Sequence, residues 1–540
     1  MPFPDFEPST PAFIRSLEER YATNDLIVYE GLRLTYGEAA QQSAQMARGM
    51  LAAGFSKGTR VGLLMPNSPD FVVAWLAAAR IGAVIIPINT FYKPRELAFV
   101  LHHADIEVLL TADKLLSNDY LERLEVCAPQ LTEKSETDTR LLLTQFPYLR
   151  QVYVWGESSR RWAHSGESLL ERSTEIPEPH LQAIEECVVP ADVLMIIYSS
   201  GSTADPKGAI HTQGSVIKHA YNLNHWRDLQ EADRIFSPMP FFWVGGLVFT
   251  LYCAMHKGCC LISEAVFEPE KTLQLIESER ATLVTGWPHY GAALADHSSF
   301  KERDLSTIRA GNIYALLPQA SQPTDPELRS NALGMTETCG PHCIDHMDLD
   351  LPEAMRGSFG RAIEGVQHKI IDPDSTEASA AGADGELCVR GYNVMQGLYK
   401  VEREDCFGED GFYRTGDAGY LNEDGFLFFK ARLGDLIKTG GANVTPREVE
   451  IVIDEQAEVQ CSYVVGLPHP DRGQVVAAAV ILNAGSSLDA PALTERLKQE
   501  LSAYKVPANI FFCDKGDIPF TDSGKIDKRR LTDYLSGLSA

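Results

Sequence analysis

The chain is short of positive charge. Its 48 lysines and arginines face 74 aspartates and glutamates across 540 residues, a formal charge of -26. Such a surplus repels phosphate polymers and anionic lipid surfaces wherever no local basic site intervenes, so nucleic acid is not an expected partner. Also missing is an apolar run of membrane-spanning length, and the first residues, Met1-Pro-Phe-Pro-Asp-Phe-Glu-Pro8, have neither the basic nor the apolar region of a secretory signal. A cytoplasmic protein without a transmembrane segment is expected, and a homodimer is open to it. The 11 cysteines are odd in number and scattered, with Cys259 and Cys260 adjacent, which suits reduced thiols better than a disulfide framework. Short repeats and long low-complexity tracts are absent. Hydrophobic residues make up 44% and charged residues 23%, a balance that can bury a sizeable core and argues against disorder. At this length more than one folding unit is expected.

What is present is an alternation of short apolar runs and helical patterns. Residues 60–66 read as a buried strand, and Ser68-Pro69-Asp70 then supplies a cap and first-turn signal for a helix over 71–81. The apolar run 83–88 follows, and the alternation recurs at 193–198 and 281–287, which predicts parallel-type sheets with helices on their faces. From about Gly357 short strands alternate with Gly and Asp turns, as at 385–391 and 422–425, and predict a β-rich subdomain over 357–432. The last segment, 433–540, has strand patterns at 459–467 and 475–482 and a helical one at 490–501, enough for a small α+β domain. The expected fold class is α/β. A large domain, 1–432, would hold two parallel-type sheets with flanking helices and the β-rich subdomain, and a small α+β domain, 433–540, would follow.

An anionic ligand held by so acidic a chain needs backbone amides, a few placed cations and a metal ion. Tyr198-Ser-Ser-Gly-Ser-Thr-Ala-Asp-Pro-Lys-Gly208 follows an apolar run and precedes a helical pattern from Ser215. Its small residues expose backbone N–H groups, Ser199, Ser200, Ser202 and Thr203 add hydroxyls around Gly201, and Lys207 adds a positive charge, a composition that suits a polyphosphate. It is not the G-x-x-x-x-G-K-[ST] loop, because Lys207 precedes Gly208 and no hydroxyl residue follows it. The same composition also describes an ordinary surface turn. Taken singly, Gly334-Met335-Thr336-Glu337 reads as a helix start, Asp417 of Tyr413-Arg-Thr-Gly-Asp417 as a turn residue, and Lys525 of Pro519-Phe-Thr-Asp-Ser-Gly-Lys-Ile-Asp-Lys528 as solvated surface.

In order along the chain, these segments resemble the signatures of the adenylate-forming superfamily, which includes acyl-CoA synthetases, firefly-type luciferases and the adenylation domains of peptide synthetases. The resemblance covers essentially the whole chain. It implies an acyl-CoA synthetase that uses ATP, Mg²⁺ and coenzyme A. The 198–208 loop would bind phosphate, Lys207 included. Thr336 would contact the α-phosphate beside Gly334 and Met335, Glu337 would bind Mg²⁺, and Asp417 would accept the ribose hydroxyls. In Lys430-Ala-Arg-Leu-Gly-Asp-Leu-Ile-Lys438, Arg432 aligns with a nucleotide-contacting arginine at the domain junction and Gly434 with the hinge. Lys438 begins the approach to 439–450, which resembles the lining of the pantetheine channel and contains Gly440 and Gly441. Lys525 would stabilise the first half-reaction, and rotation of the small domain would then withdraw it so that the CoA thiol can attack the acyl adenylate. Phe242, Trp243, Gly245, Trp287, His289 and Tyr290 lie in segments that would border the acyl pocket, and their character predicts a hydrophobic carboxylic acid.

Four positions depart from the superfamily's pattern. Ala204 stands where the phosphate loop usually has Gly, Leu333 where an aromatic stacks on adenine, Trp243 where a histidine is frequent, and Gly434 where Asp or Lys is usual. They leave room for a member proficient only in the thioester half-reaction, or for a non-catalytic acyl-adenylate-binding protein. Loading of a carrier protein is a further alternative, although no second domain is attached and 241–244 lacks an Asp to grip an amino-acid ammonium. Cys339, His342, Cys343 and His346 could mimic a zinc site, but the usual longer separation between ligand pairs is missing.

Overall fold

The computed structural model describes residues 3–133, 140–199, 206–286, 288–372, 377–439, 442–470, 472–501, 505–521 and 525–539. The chain divides into two compact units, one of residues 1–367 with 389–413 and one of 368–388 with 414–540. The boundary expected at 432/433 falls inside the second.

The first unit is built on two sheets of the kind the alternation predicts. Seven strands lie in the order Lys207–Thr212, Val193–Ser199, Val84–Pro87, Arg60–Leu64, Val108–Ala112, Gln151–Trp155, His164–Ser165. All neighbours are parallel except Lys207–Thr212, which turns back antiparallel on Val193–Ser199. The second sheet has six strands, parallel apart from the hairpin of Asp25–Tyr29 with Leu32–Thr35. The run 281–287, expected as a strand, is one only at Leu283–Val284, because the helix Pro288–Ala295 begins directly afterwards.

Helix Pro69–Arg80 starts where the sequence says. Ser68 accepts from the Phe71 amide at 3.3 Å, Pro69 needs no N–H in the first turn, and Asp70 complements the helix N-terminus. Every residue from Phe71 to Arg80 is buried, so this helix lies inside the unit and not on its surface. Trp75 donates its indole N–H to the Tyr252 hydroxyl at 2.9 Å. Arg80 ends the helix with a guanidinium 8% exposed, 2.6 Å from Glu185 and 2.9 Å from the Ala40 carbonyl.

The second unit contains a four-stranded sheet in the order Val366–Ile371, Gly385–Gly391, Tyr413–Leu421, Leu427–Arg432, within whose strands the chain passes between the units. Its larger sheet centres on Gly473–Leu482, paired with Val459–His469 and, in parallel, with Asn509–Phe512. Val476, Ala478 and Val480 face the helices Pro446–Asp454 and Ala490–Glu500 through Val449, Ile453, Leu493 and Leu497. The alternate residues Val475, Ala477, Ala479 and Ile481 face Leu531 and Leu535 of Lys528–Ser539. A strand covered on both faces must be apolar throughout, which is why 475–482 reads as one unbroken run. Among the described residues no helix is long and apolar enough to cross a membrane, and the 11 cysteines are free thiols.

The Arg80–Glu185 pair gives a stability test. Burial already lowers the pKa of Arg80, so removing its carboxylate leaves an uncompensated buried cation. Glu185→Leu should therefore cost about 3–5 kcal/mol. All six tryptophans, at positions 75, 155, 162, 226, 243 and 287, belong to the first unit, so the urea midpoint read by tryptophan fluorescence reports that unit alone.

Candidate active site

The serine-rich loop is the turn of an antiparallel hairpin. Ser199 and Lys207 are cross-strand partners at its mouth, and Tyr198 faces Gly208 one rung below. Ser200, Gly201, Ser202, Thr203 and Ala204 lie outside the described residues. Gly208 has no room for a side chain, since an added Cβ would sit 2.8 Å from Ile196 and 3.0 Å from the Tyr198 ring. The hairpin's outer strand is held by the 396–399 segment, where the Gln396 amide donates to Ile210 O at 2.9 Å and the Tyr399 amide to Gly208 O at 2.7 Å. Under it, the Tyr198 hydroxyl lies 2.7 Å from His103 Nδ1, and the Tyr399 hydroxyl donates to Asp105 at 2.9 Å.

The Gly334 to Glu337 motif meets this hairpin. Ser199 Oγ is 3.5 Å from Glu337 Oε1, at the outer limit of a hydrogen bond. Strand Leu333–Met335 pairs with Gly340–Ile344 so closely that a Cβ on Gly334 would lie 2.4 Å from the Gly340 carbonyl carbon. Thr336 and Glu337 then form a single turn that closes at Cys339, a residue in the left-handed region with φ 60°. The turn's carbonyls are taken by donors that sequence reasoning missed: His211, Asn393 and the Met395 amide. Strand alternation could have marked His211 as facing inward; nothing local marks the other two. Ser199 and Glu337 offer oxygen donors, which suit a hard divalent cation. Cys339, His342 and Cys343 are buried, and among the described residues no group of three or more His, Cys, Asp or Glu side chains is arranged to hold a metal ion.

Of the pocket candidates, Phe242 is buried with its ring 5.0 Å from that of Trp243 and 5.8 Å from that of Phe91. Gly245 follows in the same turn, and the helix then contains a π-helical stretch, Leu247–Tyr252, a feature frequent beside functional sites. Tyr290 packs on Phe267, ring centroids 3.9 Å apart. Trp287 and the His289 side chain lie outside the described residues.

In the second unit, the turn at 422–425 brings Asp417 opposite Arg432. Asp417 is 2% exposed. Its Oδ1 is 2.7 Å from Arg432 Nε, so a guanidinium compensates the buried carboxylate. Gly416 precedes it with φ 71°, and its amide donates to Glu386, which also holds Arg414. Gly434 lies in the short turn Leu433–Asp435, where an added Cβ would meet no atom within 4 Å. Lys438 is exposed on Ile437–Thr439, while Gly440 and Gly441 lie outside the described residues. Lys525 is exposed, its carbonyl accepting from the Thr521 amide at 2.7 Å across residues 522–524.

The profile of the AMP-binding enzyme family matches residues 14–399, and that of the AMP-binding enzyme C-terminal domain matches 448–525. The chain is similar to YngI of Bacillus subtilis (strain 168), which carries the name of an acyl-CoA synthetase, with 30% identity over 525 residues that cover 95% of this chain and 94% of the relative. It is 28% identical over 543 residues to the mitochondrial medium-chain acyl-CoA ligase ACSF2 of Macaca fascicularis, covering 97% and 86% of the two chains. Its fold matches that of ATP-bound MatB from Rhodopseudomonas palustris with a TM-score of 0.80 at 23% identity, over 99% of this chain and 100% of that one.

Beside Tyr290, the Glu264 carboxylate accepts from Thr272 Oγ1 at 2.9 Å, and burial, with Glu30 and Glu268 nearby, pushes its acid up from 4.5 to about 7. A carboxyl whose folded pKa is raised makes ionisation costly in the folded state, so stability should fall as pH rises from about 4.5 through about 7. Glu264→Gln should abolish that part of the pH dependence, as measured by urea midpoints at pH 5 and pH 8.

Proposed function

This chain belongs to the AMP-binding enzyme family and is an AMP-forming acid–thiol ligase, and from that premise we propose that it activates a hydrophobic carboxylic acid with ATP and passes the acyl group to coenzyme A. The observation that carries the reading is the approach of Ser199, at the mouth of the loop hairpin, to 3.5 Å from Glu337. Two segments 138 residues apart in sequence thereby bring a hydroxyl and a carboxylate together, with Lys207 the cross-strand partner of Ser199, a donor set fit for a metal-bound polyphosphate.

The roles follow from the chemistry of each group. The serine-rich loop takes the polyphosphate with Lys207, and Thr336 contacts the α-phosphate. Glu337 would hold a Mg²⁺ ion, which would supply positive charge to offset the triphosphate. Asp417 has two acceptor oxygens for the two ribose hydroxyls, with Arg432 as its counter-charge. The acid's carboxylate attacks the α-phosphorus in line, pyrophosphate leaves, and the Lys525 ammonium stabilises the charge that gathers on the attacking and bridging oxygens. The CoA thiol then attacks the activated carbonyl and AMP departs, with 438–450 as the pantetheine lining. The aromatic contacts of the buried Phe242 with Phe91 and Trp243 support an apolar acyl group. The free space around Gly434 supports its role as the hinge between the two half-reactions, because no side chain there has to be displaced when the backbone turns.

Incubation with ATP, CoA and a panel of fatty, aryl and dicarboxylic acids should give acyl-CoA, AMP and pyrophosphate with an apolar acid. AMP without thioester would overturn the CoA assignment in favour of another acceptor. Lys525→Ala should slow acid-dependent pyrophosphate release about a hundredfold or more, the scale of one lost transition-state charge stabiliser. It should leave thioester formation from supplied acyl adenylate intact. Equal pyrophosphate release by variant and wild type would remove Lys525 from the reaction.

A further inference from the structure

His211 lies four residues beyond Lys207 on the outer strand of the loop hairpin, opposite Met195, and is fully buried. Its Nε2 is 2.8 Å from the carbonyl oxygen of Thr336. A carbonyl only accepts, so Nε2 carries the hydrogen. Nδ1 has no hydrogen-bond partner among the described residues, which fits the neutral tautomer with its lone pair there. Burial supports the same state, pushing the imidazolium pKa down to about 4.

The turn that this hydrogen bond reaches is held at its far end by the buried Thr338 hydroxyl, which accepts from the Met335 amide at 3.2 Å and donates to Gly340 O at 2.8 Å, while Thr336 at its start relies on His211 for a tie to the loop hairpin. Thr336 to Thr338 form one short 3₁₀ turn whose own closure is the Cys339 amide on Thr336 O at 3.2 Å. Its three successive carbonyls are each taken from outside. Thr336 O accepts from His211, Glu337 O from the Met395 amide at 2.8 Å, and Thr338 O from Asn393 Nδ2 at 2.9 Å. Only the first of these donors comes from the loop hairpin. His211 is thus a direct tie between the strand that leaves the serine-rich loop and the backbone that aims Thr336 and Glu337.

We propose that His211 is a positioning residue for adenylation, whose Nε2–H on the Thr336 carbonyl fixes the direction of the Thr336 and Glu337 side chains relative to the loop hairpin. This rests on the adenylation reading above. His211 touches neither nucleotide nor acid; it acts through the turn.

Two amides of different reach test it. A glutamine at 211 brings its NH₂ to about the position of Nε2, whereas an asparagine stops near that of Nδ1. His211→Asn should slow acid-dependent ATP–pyrophosphate exchange about 10- to 100-fold, the range for loss of an outer partner of a metal ligand. His211→Gln should recover most of that rate. The KM for the acid and the transfer to CoA from supplied acyl adenylate should stay close to wild type in both. The proposal is overturned if Asn and Gln exchange at the same rate, whether fast or slow, or if transfer to CoA falls as far as exchange, the mark of general damage. Fluorescence-detected urea midpoints establish that both variants are folded. A wild type that exchanges no pyrophosphate overturns the adenylation reading and this proposal with it, whereas an active wild type with equal variants overturns this one alone.

Discussion

The antiparallel pairing of Val193–Ser199 with Lys207–Thr212 is the contact on which the first unit's chemistry depends, because it alone departs from the parallel order of its sheet. A parallel neighbour would need a crossover of a dozen or more residues and would carry the chain to the far end of the sheet. A hairpin instead returns it at once, so that Ser199 and Lys207 become cross-strand partners. The rest of the arrangement builds on that return: the outer strand carries His211 to Thr336, and Ser199 meets Glu337.

Much of this was legible in the sequence for local reasons. The apolar run ending at Tyr198 and the small-residue segment after it announce strand and loop; the returning strand Lys207–Thr212 was not expected, the next element read from sequence being the helix from Ser215. The Ser68-Pro69-Asp70 signal marks the start of the buried helix, which runs Pro69–Arg80 where 71–81 was expected. In the second unit the turn at 422–425 sets the register, and a bulge between Ala418 and Gly419 shifts it by one so that Asp417 faces Arg432. Turn chemistry foretells the hairpin; the bulge, which fixes the partner, leaves no mark in composition. The supports of the 336–338 turn were out of reach for a different reason. His211, Asn393 and Met395 stand at polar or ordinary apolar positions whose partners lie 125, 55 and 58 residues away, and no periodicity encodes such distances. The π-helical stretch at 247–252 was equally silent, since its residues satisfy an α-helical pattern as well.

Charge is handled locally in a chain that is acidic as a whole. Glu185 is matched to Arg80 and Arg15, Asp417 to Arg432, Glu386 to Arg414 and Asp105 to Lys400. Such pairing confines the field of the buried acids to a few ångströms and leaves the surplus of negative charge to the surface, where water screens it. An anionic ligand is then opposed by the distant surface and must be favoured by cations at its own site.

The outer strand of the seven-stranded sheet bears on how the protein behaves in a crowd of its own kind. Main-chain groups along the margin of a sheet will pair with any extended chain that reaches them, which is how copies of a protein come to stick together. Here Gly208 and Ile210 already exchange those bonds with 396–399 of the same molecule. A fold that carries its serine-rich segment at a sheet margin thereby denies that margin to neighbours, and self-association by strand addition would first have to peel this segment away.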